Sequence, residues 1–242
     1  MTKRLNFVIN GKGGVGKSFF ATNFVQHLKD RQIPHAAVDT DQENSTLKRF
    51  HPDSGFIDPE QPQELDTIFA LIEKHDLVIV DCRAASTDLF LRYFTEIAVF
   101  EVLEAAGAEL TVIMPVNHEN DSIEQVRLVS TSLESRCSYV LVRNEVHSEQ
   151  FRIYDNSRSR QRILHEFSGR EISMKRMQDW LVASLNEYSL TATNAITHPA
   201  FTLIDRQRLK HWQRHFDAQV DLAADLLLPD HANMQTVLPL EQ

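Results

Sequence analysis

Apolar runs that end in a polar residue recur along this chain, separated by stretches with helical spacing. Leu5 to Asn10, His35 to Asp39, Leu77 to Asp81, Leu110 to Pro115 and Tyr139 to Asn144 read as strands. Several are nearly continuous in Val, Ile and Leu, the pattern of strands covered on both faces. Between them, apolar residues repeat at helical intervals over Lys17 to Asp30, Leu65 to His75, Ser86 to Phe94 and Ser122 to Ser135. This alternation predicts an α/β fold, a mostly parallel twisted sheet with helices on both faces. Beyond Asn144 the pattern turns helical, over Ser157 to Phe167, Met174 to Asn186 and one long segment from Pro199 to Leu228, with a short strand near Glu171 to Met174. One domain is expected over residues 1–242, with a helical C-terminal part at about 174–228 and a loosely held tail at 229–242.

The first turn carries the most specific chemistry. Gly11-Lys12-Gly13-Gly14-Val15-Gly16-Lys17-Ser18 follows the first strand and opens the first helix, the order of a phosphate-binding P-loop. Its glycines permit a crowded, partly left-handed backbone that turns N–H groups inward toward phosphate, and the helix adds its positive end. The cradle is expected to run from Gly11 through Phe19. Lys17 can reach the β and γ phosphates of ATP, and Ser18 can place its hydroxyl on Mg²⁺. Lys12 is a second cation in the loop, long enough to reach beyond its own subunit.

Acidic residues close the next strands, where ligands of open parallel sheets collect. Asp39 ends the second strand and leads into Thr40-Asp41, and Asp81 ends the third after Leu77-Val78-Ile79-Val80. An aspartate after such a strand can hold Mg²⁺ through its water shell, so Ser18, Asp39 and Asp81 are the candidate metal ligands. Asn144 closes the fifth strand with an amide able to donate and accept, either to a base edge or within a turn.

Composition narrows the class. The 242 residues are 42% hydrophobic, enough for one large core. Cys82 and Cys137 have no metal-like spacing and read as core thiols. No targeting segment and no apolar run of about 18 residues is present, so a cytoplasmic location is expected. The net charge of −9 speaks against a nucleic-acid protein overall. However, Arg152, Arg158, Arg160, Arg162, Arg170, Lys175 and Arg176 outnumber Asp155, Glu166 and Glu171, and Arg206, Arg208, Lys210 and Arg214 form a second basic stretch. These segments are candidate contacts for duplex DNA or solvated helix faces. His211 and His215 stand one helical turn apart but lack a nearby third ligand.

With both lysines in place, the loop resembles the deviant Walker A motif, Lys-Gly-Gly-x-Gly-Lys-Ser, of the ParA/MinD family of P-loop ATPases. The resemblance covers about residues 1–144. It implies slow ATP hydrolysis by a homodimer that closes over two nucleotides. Lys12, Lys17 and Asp41 are then the catalytic residues. Lys12 reaches the partner's phosphates, Asp41 orients the attacking water, and Asn144 reads adenine. Within the family, Asp39-Thr40-Asp41-Gln42-Glu43-Asn44-Ser45-Thr46 is similar in length to the first switch of TraL-type conjugal transfer proteins, which carries Asp-Thr-Asp-Pro-x-Asn-Ala-Thr. Plasmid-partition proteins usually have one residue more there. Asp81-Cys82-Arg83-Ala84-Ala85-Ser86 and Asp205 to Lys210 resemble the same branch, over nearly the whole chain. That branch implies a cargo of DNA or of a conjugation or secretion protein. Gln42 and Arg83 depart from the family pattern, and Arg83 has three candidate partners: a γ phosphate, an acidic neighbour or solvent.

Three other classes are weighed against this one. Metabolic ligases of related fold phosphorylate a carboxylate and do not need Lys12. An iron and sulfur reductase would need two cysteines per subunit near a dimer axis. Membrane anchoring is not expected, because Asp217 to Gln242 contains no lysine or arginine.

Overall fold

The structure is a computed structural model that describes residues 2–230. Seven strands form one sheet: β1 (Lys3–Val8), β2 (Ala36–Asp39), β3 (Gly55–Phe56), β4 (Leu77–Asp81), β5 (Ala108–Val116), β6 (Ser138–Asn144) and β7 (Arg170–Met174). Their spatial order is β3-β2-β4-β1-β5-β6-β7, and every pairing is parallel. β1 therefore lies between β4 and β5, and the loop leaving it enters the crevice where strand order reverses.

Alternate strand residues feed two cores. Leu5, Phe7, Val78, Val80, Val112 and Leu141 point to one face. That face is covered by α3 (Pro62–Lys74), α4 (Thr87–Glu96), α5 (Val99–Ala106), α6 (Asn120–Leu133), α7 (Arg152–Asp155) and α8 (Arg158–His165). Val8, Leu77, Ile79, Ile113, Val140 and Ile172 point to the other. There α1 (Lys17–Asp30), α2 (Thr46–Phe50), α9 (Asp179–Tyr188), α10 (Ala192–Ala195), α11 (Leu203–Asp221) and α12 (Ala224–Leu227) pack. The predicted α/β architecture is present, and the bounds of α1 and β4 agree residue for residue with those read from the sequence.

Several expected elements differ. The segment expected as a helix from Met174 starts at Asp179, because Met174 completes β7 and Met177 is buried in the connection. The long segment from Pro199 resolves into α11 and α12. Thr202 starts α11 through a reciprocal capping box with Asp205, which fixes the boundary. β3, α2, α5, α7 and α10 were not expected. The tail expected at 229–242 lies, apart from residues 229 and 230, outside the described residues.

The sheet and the C-terminal helices are joined by buried polar bonds. Asn6 donates to the Leu227 carbonyl at 2.9 Å, Thr111 to that of Leu226, and the buried Arg4 guanidinium to Asp225 and Leu228 carbonyls and to the Glu109 carboxylate. Each of these three side chains thus has a partner for its donors, which keeps α12 against the centre of the sheet.

Candidate nucleotide site

The loop between β1 and α1 has the backbone its glycines predict. Gly14 and Gly16 sit at φ of 76° and 95°, a region costly for side-chain-bearing residues. A Cβ on Gly16 would also lie 2.4 Å from Asn144 Nδ2. The loop is anchored from below by Asn10, whose amide donates to the carbonyls of Pro115 and Ser122 at 2.9 and 3.1 Å while accepting from the Lys12 N–H at 3.0 Å. This support from Asn10, Pro115 and Ser122 was missed in the sequence. Its only local signal is a polar residue ending an apolar run.

Lys17 is buried, and its ammonium donates to the Lys12 carbonyl at 3.0 Å across the loop. Burial lowers its pKa, offset in part by the charges of Asp81, Cys82 and Asp41. A cation placed so is desolvated and aimed into the cradle. Lys12 behaves differently. Its ammonium lies 3.0 Å from Glu119 and 3.5 Å from Asp121 at the start of α6. The Glu119 partnership raises the Lys12 pKa and lowers that of Glu119.

Asp39 and Asp81 pair across β2 and β4 in register, so their carboxyls share one end of the sheet. Asp39 accepts N–H bonds from Asp41 at 2.9 Å and Lys48 at 3.1 Å. Burial nevertheless raises its pKa. Asp81 is completely buried, and burial followed by the Asp39 charge raises its pKa to about 8. The Ser18 hydroxyl faces the same carboxyl and offsets part of that rise, but falls short of hydrogen-bond geometry. Both Asp81 oxygens therefore lack a partner. A buried carboxyl with both oxygens orphaned, in register with a second buried carboxyl and beside a P-loop serine, fits a hard divalent cation that also takes phosphate oxygens. Ser18, Asp39 and Asp81 would hold Mg²⁺, which when bound neutralises phosphate charge.

Thr40 joins the two acidic turns. Its N–H and hydroxyl both donate to the Asp81 carbonyl, at 3.1 and 3.0 Å, and its Oγ1 accepts from the Arg83 N–H at 3.0 Å. Asp41 accepts the N–H groups of Glu43 and Asn44 at 3.1 and 3.3 Å and the Asn44 amide at 3.1 Å, so it organises its own turn. Asn144 donates to the Val15 carbonyl at 2.8 Å and accepts from the Val146 N–H at 3.2 Å. Both ends of that amide are engaged in this structure, and the residue braces the P-loop.

Gly13, Gly14, Gly16, Lys17, Ser18, Phe19, Asp41, Arg83 and Ala84 share a cavity of about 390 Å³, closed at its far end by Phe50, Val182, Leu185 and Leu190. The structure thus brings the candidate catalytic groups Lys17 and Asp41 into one space and leaves Lys12 on its rim partners. Phe19 also contacts Trp212 edge to face, 5.4 Å between ring centres, which ties α1 to α11. A larger, shallower hollow between α4, α5 and α6 has no phosphate loop.

Other candidates are placed elsewhere. Cys82 and Cys137 are buried free thiols whose pKa values burial pushes up, that of Cys137 to about 12. Buried neutral thiols on separate elements do not suit a cluster shared across a dimer axis. Among the described residues, His211 and His215 join no group of three metal-ligating side chains, and no helix is long and apolar enough to cross a membrane. Many of the arginines are already paired: Arg160 with Glu171, Arg162 with Glu166, Arg170 with Asp225, Arg176 with Asp179 and Arg208 with Asp205.

Comparisons with known proteins bear on the family and the fold. The chain is similar to Protein TraL of Escherichia coli, 26% identical over 251 residues that cover 92% of this chain and 99% of that protein. It is also similar to Protein MobD of Acidithiobacillus ferrooxidans, 22% identical, with 88% and 94% covered. Among solved structures, the septum site-determining protein MinD of Pyrococcus horikoshii OT3, complexed with Mg-ADP, superposes with a TM-score of 0.53 at 13% identity, covering 91% of this chain and 95% of that one. That likeness is one of fold. Residues 6–229 match the CobQ/CobB/MinD/ParA nucleotide binding domain. With a glycine loop at the switch point of a parallel sheet and this match over most of its length, the chain belongs to the CobQ/CobB/MinD/ParA nucleotide-binding family.

Proposed function

We propose that the protein is a dimeric switch ATPase that binds MgATP, closes as a homodimer, hydrolyses ATP slowly and reopens, so positioning or transferring a cargo in plasmid conjugation or a related process. The observation that carries this reading is the division of labour between two lysines in one loop. Lys17 is buried in its own cradle, whereas Lys12 sits outside it on Glu119 and Asp121. A cation kept off its own phosphates by surface carboxylates suits a role on a second subunit's nucleotide. In-line attack by water needs positioning and charge neutralisation more than covalent chemistry, which fits a site made of lysines, aspartates and loop amides. Asp41 is the residue assigned to orient that water. The ion pairing of the arginines leaves Arg152, Arg158 and Lys175 as the cations of 151–176 without an ion pair among the described residues. Arg206, Lys210 and Arg214 of the second stretch are also without an ion pair among the described residues, so the cargo class is DNA or a protein.

Lys17→Ala is expected to abolish ATP binding in titration calorimetry, whereas Lys12→Ala keeps binding and loses ATP-dependent association. Equal loss of nucleotide in both variants would remove the second-subunit role of Lys12.

A further inference from the structure

We propose that Arg83 is an additional catalytic cation for the γ-phosphate bound in its own subunit, held back by Glu60 until the nucleotide competes for it. This inference rests on the ATP-hydrolysis reading above. Arg83 follows the buried Asp81-Cys82 pair and lines the same cavity as Gly13, Lys17 and Asp41. Its neighbour Ala84 approaches the loop so closely that a Cβ on Gly13 would meet the Ala84 methyl at 3.8 Å. Gly13 belongs to the phosphate-cradling loop and shares that cavity with Lys17, the residue that reaches the β and γ phosphates.

The backbone around Arg83 is fixed from three directions. Its N–H donates to Thr40 Oγ1 at 3.0 Å, its carbonyl accepts from the Ser86 hydroxyl at 2.8 Å, and the Ala85 N–H donates to the Gly11 carbonyl at 2.9 Å. Ala85 holds a left-handed φ of 58° to make that turn. The segment is thus tied to both the first switch and the P-loop, while the side chain remains partly exposed.

That side chain reaches back to the Glu60 carboxylate. Glu60 stands on the loop between β3 and α3, where its N–H donates to Asp58 at 3.0 Å and Ile57 is bonded to Asp39 at 3.0 Å. A partly exposed ion pair is weakly held, and a guanidinium matches phosphate in a two-pronged geometry with several negative oxygens. Exchange of Glu60 for the γ-phosphate is then a change of ion-pair partner within the cavity that Arg83 already lines. In the hydrolytic step a water oxygen forms the new bond to the γ phosphorus as the bond to the β–γ bridging oxygen breaks. That electron pair leaves on ADP, and the water proton ends on phosphate or solvent. Arg83 neutralises the charge on the transferring group.

The test combines calorimetry for ATP affinity with steady-state phosphate release, on Arg83→Ala, Arg83→Lys, Glu60→Gln and the Glu60→Gln/Arg83→Ala pair, each checked for folding by thermal melting. Arg83→Ala is expected to lower kcat at least about tenfold with ATP affinity within about twofold, and Arg83→Lys to recover part of the loss. Glu60→Gln is expected to raise kcat, and the double variant to match Arg83→Ala, since Glu60 acts through Arg83. Unchanged turnover in folded Arg83→Ala, beside active wild-type protein, overturns this assignment alone. Nucleotide binding without turnover in wild type overturns the ATPase reading and this proposal together.

Discussion

Asp81 carries the largest conflict in the site. A carboxyl with a pKa near 8 stays protonated in the fold at a pH where the unfolded chain has released that proton. Its contribution to stability is therefore complete below about pH 4 and is lost as pH rises toward about 8. Asp81→Asn is expected to flatten this decline in melts with EDTA between pH 5 and 8, and to abolish any rise in Tm on adding Mg²⁺ and nucleotide. An undiminished Mg²⁺ response in that variant would take Asp81 out of the metal site. Asp41 is tested by turnover. Asp41→Ala is expected to bind ATP normally and lose about a hundredfold in kcat, the scale of a positioned acid or base group. Turnover at the wild-type rate would sink its role in orienting water. The residues that read most clearly from sequence were those whose chemistry is local. The glycines and Lys17 needed only the loop itself. The partners of Lys12 and Arg83 did not, because Glu119 and Glu60 reach them only after the sheet has assembled.

At the scale of elements, the arginine-rich stretch shows how tertiary pairing overrides a local charge count. Seven basic residues between 151 and 176 suggested an anion-binding face. β7 instead presents Glu171, which takes both Nε and Nη2 of Arg160 at 2.7 and 2.9 Å and the Tyr154 hydroxyl at 2.6 Å. Burial pushes the Glu171 pKa up, but these two donors and Arg143 pull it below the ordinary value. A carboxyl with a depressed pKa stabilises the fold above its unfolded pKa of about 4.5 and loses that contribution as pH falls below it. Glu171→Gln is expected to cost about 2 kcal/mol in urea denaturation at pH 7, and less at pH 3.5. An equal cost at both pH values would contradict the charge-assisted account. Strand and helix positions were legible where helical periodicity ran over several turns, as in α1, or where an apolar run was unbroken, as in β4. β3 is two residues long and α2 five, too short to establish a period. The start of α9 was misplaced because the buried Met177 extends the apolar pattern through an irregular connection.

Across the whole molecule, the two switch turns, the P-loop and the C-terminal helices form one connected frame. Thr40 links the turns, Asn144 links β6 to the P-loop, and Arg49 of α2 donates to the Asn186 carbonyl and side-chain oxygen of α9 at 3.2 and 3.1 Å. The acidic turn after β2 is thus bonded through α2 to α9. Trp180 on α9 and Leu203 and Ile204 at the start of α11 are large apolar side chains left exposed. In the proposed cycle MgATP closes two copies of the chain through Lys12. The direct measurement is sedimentation equilibrium of Asp41→Ala with MgATP and with MgADP, beside Asp41→Ala/Lys12→Ala with MgATP. The expected result is twice the 27.8 kDa chain mass for Asp41→Ala with MgATP, and the chain mass in the other two samples. A single chain mass in all three, with ATP shown to be bound, would contradict the claim.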